Sequence, residues 1–300
     1  MAEKDGDGWA QCSMGHRHWG VHGASGLLAV HHDREGVPHV LMQERALFSH
    51  HGGTWGLPGG AMDSHEDAVA SALREAWEEA ALNREALRVQ GVYLDDHGGW
   101  TFETVIAGAE TLFAAAPANA ESTDLRWLPI GDIAARPLHP GFAATWPEIQ
   151  MLLSPWLVVL DMANIVGARA EHGWWRDRAG AATKLLAEVS GLMPYGLREV
   201  PGVTPPLARW FPRVVAVVEG AARAAVPAPG LDTVAASGSG DDAIVGLVDK
   251  AFPWERVLVV TADRGLRDRV TALGAHVTGP KWLLSQLGRT ASPHRTHPPR

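Results

Sequence analysis

The stretch GGTWGLPGGAMDSHEDAVASALREAWEEAAL, Gly52 to Leu82, sets a glycine-rich turn directly before a segment with the apolar spacing of a helix. Ser64 to about Ala80 is predicted as that helix, with Ser64 as N-cap and Asp67 three residues on, in the capping-box position. Val69, Leu73, Ala76 and Ala80 recur at helical spacing and form the expected buried stripe. Glu75, Glu78 and Glu79 stand at i, i+3 and i+4, so they project together from a side away from that stripe. Carboxylates this close repel one another unless a cation sits among them, and hard divalent cations take oxygen ligands. Arg74 precedes Glu78 by four residues and is expected to pair with it. The glycines of LPGG leave room at the helix start for a phosphate or a metal-bridged phosphate. Water attack on a phosphoanhydride fits this arrangement. A solvated charged face held by ion pairs is the competing reading of the acidic cluster alone.

With 300 residues, 46% of them hydrophobic, the chain can bury one large core or two ordinary ones. A single cysteine, Cys12, excludes an internal disulfide framework. No apolar run approaches the roughly 18 residues of a membrane span, and the first residues lack a signal peptide's apolar core. A cytoplasmic protein without membrane partners is expected. The net charge of −8 is uneven: residues 1–154 carry −12 and residues 155–300 carry +4. Such asymmetry suggests two units with different partners, the acidic one suited to metal ions and the basic one to a polyanion.

The pattern along the chain supports that division. Residues 1–23, rich in His, Gly and Trp, read as an N-terminal arm. Residues 24–150 combine strand candidates (GLLAVHHD, HVLMQER, VQGVYLDD, TFETVIAGA, LRWLPIGDI) with the one long helix, an α+β pattern. Beyond the proline-punctuated HPGFAATWPEIQMLLSP the rhythm changes. PWLVVLD, RVVAVVEG, LDTVAAS and RVLVVTAD are apolar without alternation, as expected of strands buried on both faces of a parallel sheet. Helical stretches alternate with them, which predicts an α/β unit over residues 156–287. Residues 288–300 read as a disordered tail.

Gly60, five residues, Glu66, seven residues, then REAWEEAAL resembles the Nudix box, and the preceding WGLPGG is similar to that family's sequence as well. The resemblance covers about residues 20–150. One position departs from it: Ala81 stands where the family has glycine. The resemblance implies a Nudix hydrolase using Mg²⁺ or Mn²⁺, with metal bound by Glu75, Glu78, Glu79 and the backbone of Gly60, and with Arg74 in the catalytic group. Glu121, six residues before Trp127, matches a further family carboxylate that binds metal or acts as base. The implied substrates are nucleoside diphosphates linked to another group: nucleoside triphosphates, sugar nucleotides, dinucleoside polyphosphates or capped RNA. Trp100, Phe102 and Trp127 are candidates for stacking on the base, Trp100 first because it stands at a loop-to-strand junction. Burial in the core is the plainer role for each aromatic taken singly.

In the second half, Asp161 and Asp263 end strands, Glu219 follows one, and Asp241 and Asp242 open a helix. The carboxyl ends of parallel strands form the ligand crevice of open α/β sheets. Converging carboxylates there suit divalent metals and phosphodiester hydrolysis, whereas Asp at a strand-to-helix turn also serves simply as an N-cap. VVLDMANIVG, GSGDDAIV and VVTADRGLRDRV resemble the PIN-like ribonucleases, most closely the NYN branch. That resemblance implies an α/β PIN-like (Rossmann-like, parallel-sheet) domain, metal held by Asp161, Asp242 and Asp263, and Asn164 positioning water or phosphate, with Thr261 and Arg264 completing the motif. Glu219 is the weaker match. GWWRDRAG supplies Trp174, Trp175, Arg176 and Arg178, suited to single-stranded RNA or to sealing a domain interface. The expected whole is an α+β Nudix fold followed by a metal-dependent ribonuclease. Two alternatives stay open: a nucleotide-sensing Nudix module, or a second domain that only binds. Finally, Cys12, His16, His18 and His22 have spacings that could gather zinc, although a second cysteine is lacking.

Overall fold

A computed structural model describes residues 4–169, 171 and 173–290. The chain forms two compact units. One comprises residues 1–154 with 203–210; the other comprises 155–202 with 211–300.

The first unit begins with a hairpin, β1 (Trp9–Gln11) and β2 (Arg17–Trp19). Next come β3 (Ala24–His32), β4 (Pro38–Arg45), β5 (Trp55–Gly56), β6 (Gly59–Ala61), α1 (Ala68–Ala80), β7 (Leu87–Asp96), β8 (Thr101–Ala109), β9 (Ser122–Pro129), α2 (Ile130–Ile133) and α3 (Pro140–Ile149). Strand β3 is central: it runs parallel to β8 and antiparallel to β4 and β6, while β7 extends the sheet beyond β8 and β9 pairs β4. Alternate side chains of a strand face opposite ways. Leu28 and Val30 therefore join Met42, Ile106, Phe142, Trp146 and Ile149 in a core under α3. The intervening face of β3 lies under α1.

Several expectations change here. Helix α1 is capped by Asp67, whose Oδ1 accepts the Ala70 N–H at 2.9 Å. Ser64 is not the cap; its backbone N–H goes to Asp5 Oδ1, 2.8 Å away. The buried side of α1 is Ala68, Ser71, Ala72, Ala76, Glu79 and Ala80, with Val69 and Leu73 only half-buried. Glu79 thus lies on the buried side rather than away from it. Residues 4–23 belong to the first unit and are no separate arm: the Asp5 and Gly6 N–H groups donate to Asp63 Oδ1, and the Val21 N–H donates to the Gly6 carbonyl.

The second unit opens with β10 (Trp156–Asp161), α4 (Met162–Arg169) and α5 (Arg178–Leu192). The chain then crosses back to lay β11 (Arg209–Trp210) antiparallel on β7 of the first unit's sheet, so residues 156–287 are not one continuous domain. It returns as β12 (Arg213–Val218), β13 (Asp232–Ala235), α6 (Gly240–Asp249), β14 (Arg256–Val260), α7 (Arg264–Ala272), β15 (His276–Thr278) and α8 (Pro280–Thr290). The five strands are parallel in the order β13-β12-β10-β14-β15. Leu157, Val159, Val215, Val217, Val257 and Val259 face α6 and α7. The alternating residues Val158, Leu160, Val214, Ala216 and Leu258 are equally buried, which is why these strands carry no polar period. Helix α8 runs three residues into the stretch read as a disordered tail; the rest of that stretch lies outside the described residues. Among the described residues no helix is long and apolar enough to cross a membrane.

Candidate active site

Helix α1 faces β6 across the turn that the quoted stretch encodes. Gly60 pairs with Ser25 in the sheet, and a Cβ on it would lie 2.6 Å from Glu75 Oε1. A side chain at this position would displace the Glu75 carboxylate from its present place. The Gly59 N–H donates to Glu79 Oε2 at 2.8 Å. Arg74 holds the cluster from within. Its Nε and Nη2 make a bidentate pair with Glu66 at 2.7 and 2.8 Å, its Nη1 meets Glu75 Oε1 at 2.7 Å, and its Nη2 also donates to the Ala61 carbonyl. Glu78, the expected i,i+4 partner, also forms an ion pair with Arg74, at the longer distance of 3.7 Å. A planar guanidinium can clamp two carboxylates at once, which an i,i+4 argument alone does not anticipate.

Electrostatics follow from that packing. Burial pushes the Glu75 carboxyl up, against the opposing pull of Arg74. Glu79 is only 2% exposed. Burial, with Glu75 and Glu121 adding negative charge nearby, raises it to about 8 despite the Gly59 hydrogen bond. Glu78 is the most open of the three, and the Lys4 ammonium sits 3.0 Å from its Oε2. That contact was invisible in the sequence, where Lys4 and Glu78 are 74 positions apart. Three carboxylates on one turn beside a glycine strand are the hard-oxygen donors a divalent cation takes, and here Arg74 holds Glu75 while Lys4 holds Glu78. Glu121 is exposed at the end of the loop before β9, its carbonyl bonded to the Ala46 N–H.

The base-stacking candidates fall elsewhere. Trp100 is 8% exposed, its indole N–H donates to the Gly20 carbonyl at 2.8 Å, and His18 stacks on it at 4.0 Å. It packs with Cys12 and Ala24, so it has no free face for a nucleobase. Half-buried Phe102 packs against that same cluster, and Trp127 donates its indole N–H to the Phe113 carbonyl. His22 faces Asp5 at 3.6 Å, apart from the other N-terminal histidines. Arg209, carried back by β11, meets Asp67 at 3.1 Å and approaches Glu103 at 3.9 Å. No sequence signal singled it out.

In the second unit, Asp161 is buried. Its Oδ1 accepts the Asn164 N–H at 3.0 Å and its Oδ2 accepts the Thr261 hydroxyl at 2.7 Å. Asn164 Oδ1 in turn accepts the Ala262 N–H, tying the ends of β10 and β14 together. Burial pushes Asp161 up, with Asp241 and Glu219 contributing. Asp263 caps α7 through the Leu266 N–H. Asp242 points to Arg269, 2.6 Å away, and is largely exposed. Asp241 takes the inward place instead: burial raises it, and Asp263 and Glu219 act on it. Glu219 is drawn in by the Gly240 N–H at 2.6 Å. Of the expected trio, Asp161 and Asp263 sit at the ends of β10 and β14, whereas Asp242 is paired with Arg269 on the exposed side of α6. Arg178 opens α5 and lies over the Trp174 ring at 5.8 Å, while Trp175 is half exposed.

Comparison with known proteins bears on the first of these sites. The NUDIX domain family matches residues 22–147. A Mycobacterium tuberculosis protein named "Putative 8-oxo-dGTP diphosphatase 3" is 47% identical over 152 residues, covering 49% of this chain and 70% of the relative. A Bifidobacterium longum "Nucleoside triphosphate pyrophosphatase/Nudix hydrolase fusion protein" is 42% identical over 147 residues, covering 48% of this chain and 30% of the relative. The crystal structure of RenU, a Nudix hydrolase from M. smegmatis, is 44% identical, covers 49% of this chain and 94% of that one, and superposes with a TM-score of 0.47. Identity at this level across most of the mycobacterial relative joins the glycine strand and the glutamate helix to one conclusion: the chain belongs to the Nudix family.

Proposed function

We propose that the first unit hydrolyses the phosphoanhydride of a nucleoside diphosphate linked to another group, with nucleoside triphosphates, oxidised ones included, as substrates. The observation that carries this reading is the turn bearing Glu75, Glu78 and Glu79, clamped by Arg74 and pressed against Gly59 and Gly60. The name of the mycobacterial relative supports an oxidised guanine nucleotide as one substrate. Glu75, Glu78, Glu79 and the Gly60 backbone would hold Mg²⁺ or Mn²⁺. Such an ion, when bound, neutralises charge on the diphosphate and makes water a stronger nucleophile. Arg74 fixes the direction of Glu75, and the Gly59 N–H fixes that of Glu79. Glu121 accepts the proton of the attacking water as its oxygen bonds to phosphorus. The phosphorus–oxygen anhydride bond then breaks, and its electrons leave with the departing phosphate.

A nucleotide panel with Mg²⁺ or Mn²⁺, read by chromatography, tests this. At least one nucleotide releases phosphate or pyrophosphate, and Glu75→Gln abolishes release while the nucleotide still binds. A protein that binds nucleotides and turns none over is the sensor, and the hydrolase reading fails.

For the second unit we propose a PIN-like domain of the NYN type that cleaves single-stranded RNA with a divalent metal. Supporting it are the four carboxylates around the ends of its parallel strands and the bond network joining Asp161, Asn164 and Thr261. The double substitution Asp161→Asn with Asp263→Asn keeps the α7 cap and should abolish cleavage. RNA cleavage unchanged in that variant removes the proposal; RNA binding without cleavage in the wild type leaves a binding module.

A further inference from the structure

The hairpin β1–β2 pairs Ala10 with His18 and Gln11 with Arg17, and its turn is closed by the Cys12 N–H donating to the His16 carbonyl at 3.0 Å. This turn abuts the one joining β7 and β8. The Ser13 N–H donates to the Gly98 carbonyl at 2.7 Å, and the Ser13 hydroxyl donates to the His97 carbonyl at 3.2 Å. Two turns separated by about eighty residues are thereby locked face to face, and four metal-ligating side chains meet between them. One ligand atom from each of Cys12, His16, His18 and His97 lies within 4.8 Å of every other.

Two observations give the cluster a purpose. His18 Nε2 and His97 Nδ1 are buried and have no hydrogen-bond partner. An orphaned buried polar atom costs about 1–3 kcal/mol, so two on neighbouring rings, with centroids 4.6 Å apart, call for a partner. The other nitrogen of His97, Nε2, is 3.0 Å from Asp95 Oδ2. A carboxylate behind an imidazole fixes its tautomer and aims the opposite nitrogen at a metal. Trp100, stacked under His18 at 4.0 Å, sets the orientation of that ring.

We propose that Cys12, His16, His18 and His97 bind one Zn²⁺ as a closed structural site, separate from the glutamate site. One thiolate and three imidazoles are the soft-to-borderline donors zinc prefers, and four protein ligands leave no open position for catalysis. Tetrahedral zinc places one sulfur and three nitrogens about 3.3–3.6 Å apart, inside the 4.8 Å within which all four ligand atoms already lie. Binding releases the Cys12 thiol proton to solvent and involves no redox step. The ion staples the hairpin turn to the sheet. The other end of that hairpin rests on Asp63 and, through Lys4, on Glu78.

The test is cobalt titration of the metal-stripped full-length protein under excess Mg²⁺, which saturates the oxygen site. Cys12 is the only cysteine, so a thiolate-to-cobalt charge-transfer band can arise only there. One cobalt per chain is expected, with that band, the strong visible bands of a tetrahedral ion, and displacement by one equivalent of Zn²⁺. Cys12→Ser removes the sulfur band, and His97→Gln weakens binding at least a hundredfold. Asp95→Asn weakens it about ten- to a hundredfold. His22→Gln changes nothing. Absence of the sulfur band in the wild type overturns the proposal whether or not any variant folds. So does a stoichiometry of one cobalt per two chains, or a His97→Gln variant identical to the wild type.

Discussion

The carboxylate of Glu75 occupies the space a side chain on Gly60 would need, with Oε1 only 2.6 Å from that position. The Glu75 carboxylate is thus packed directly on the backbone of β6, while Glu78 on the same turn stays exposed. Gly60→Ala should cost about 1–3 kcal/mol of local overpacking. The proposed turnover should fall about ten- to a hundredfold as Glu75 swings away. Steady-state kinetics beside a thermal melt check this; an active Gly60→Ala enzyme would mean that Glu75 does not need its present place.

Arg74 joins Glu66 through Nε and Nη2, Glu75 through Nη1 and the Ala61 carbonyl through Nη2. Lysine keeps the charge and loses the fork. Arg74→Lys should therefore lower kcat about ten- to a hundredfold, as loss of a ligand-orienting partner does, with a smaller change in KM. An effect confined to KM would show that Arg74 serves binding alone.

Ala81 ends α1 with φ 51° and ψ 32°, its N–H on the Trp77 carbonyl while the Leu82 N–H reaches the Ala76 carbonyl. This is a left-handed helix terminus, a conformation that penalises any Cβ. Ala81→Gly should stabilise the protein by about 1 kcal/mol and raise the melting temperature by a few degrees. Calorimetry reads the shift; a lower melting temperature would contradict the strain.

His139 is packed against His50 and His51 with Arg45 close by, and burial, reinforced by these neighbours, pushes its imidazole from 6.5 down to about 4. The unfolded chain therefore takes up a proton between about pH 6.5 and 4 that the folded chain refuses. Stability is lost as pH falls through that window and is fully present above it. Allowing for partial solvent screening, the loss is about 1 kcal/mol at pH 5. Urea midpoints at pH 7 and pH 5 measure it, and His139→Gln should shrink the difference; an unchanged difference would assign the acid sensitivity elsewhere.

Spacing within one helix was enough to bring Glu75, Glu78 and Glu79 to one side, because three and four residues make about one turn. Unbroken apolar runs were likewise enough to indicate a parallel sheet in the second half, since strands covered on both faces need no polar period. Those are consequences of local geometry, and residue order carries them. Order did not say that Trp100 would spend its indole N–H on Gly20, that Asp242 would pair with Arg269, or that Arg209 would be carried back to Asp67. Nor did it replace His22 by His97 beside Cys12. Each of these depends on which distant segments pack together, and that is set by closing long loops around a shared core, a cooperative balance no short window of sequence contains.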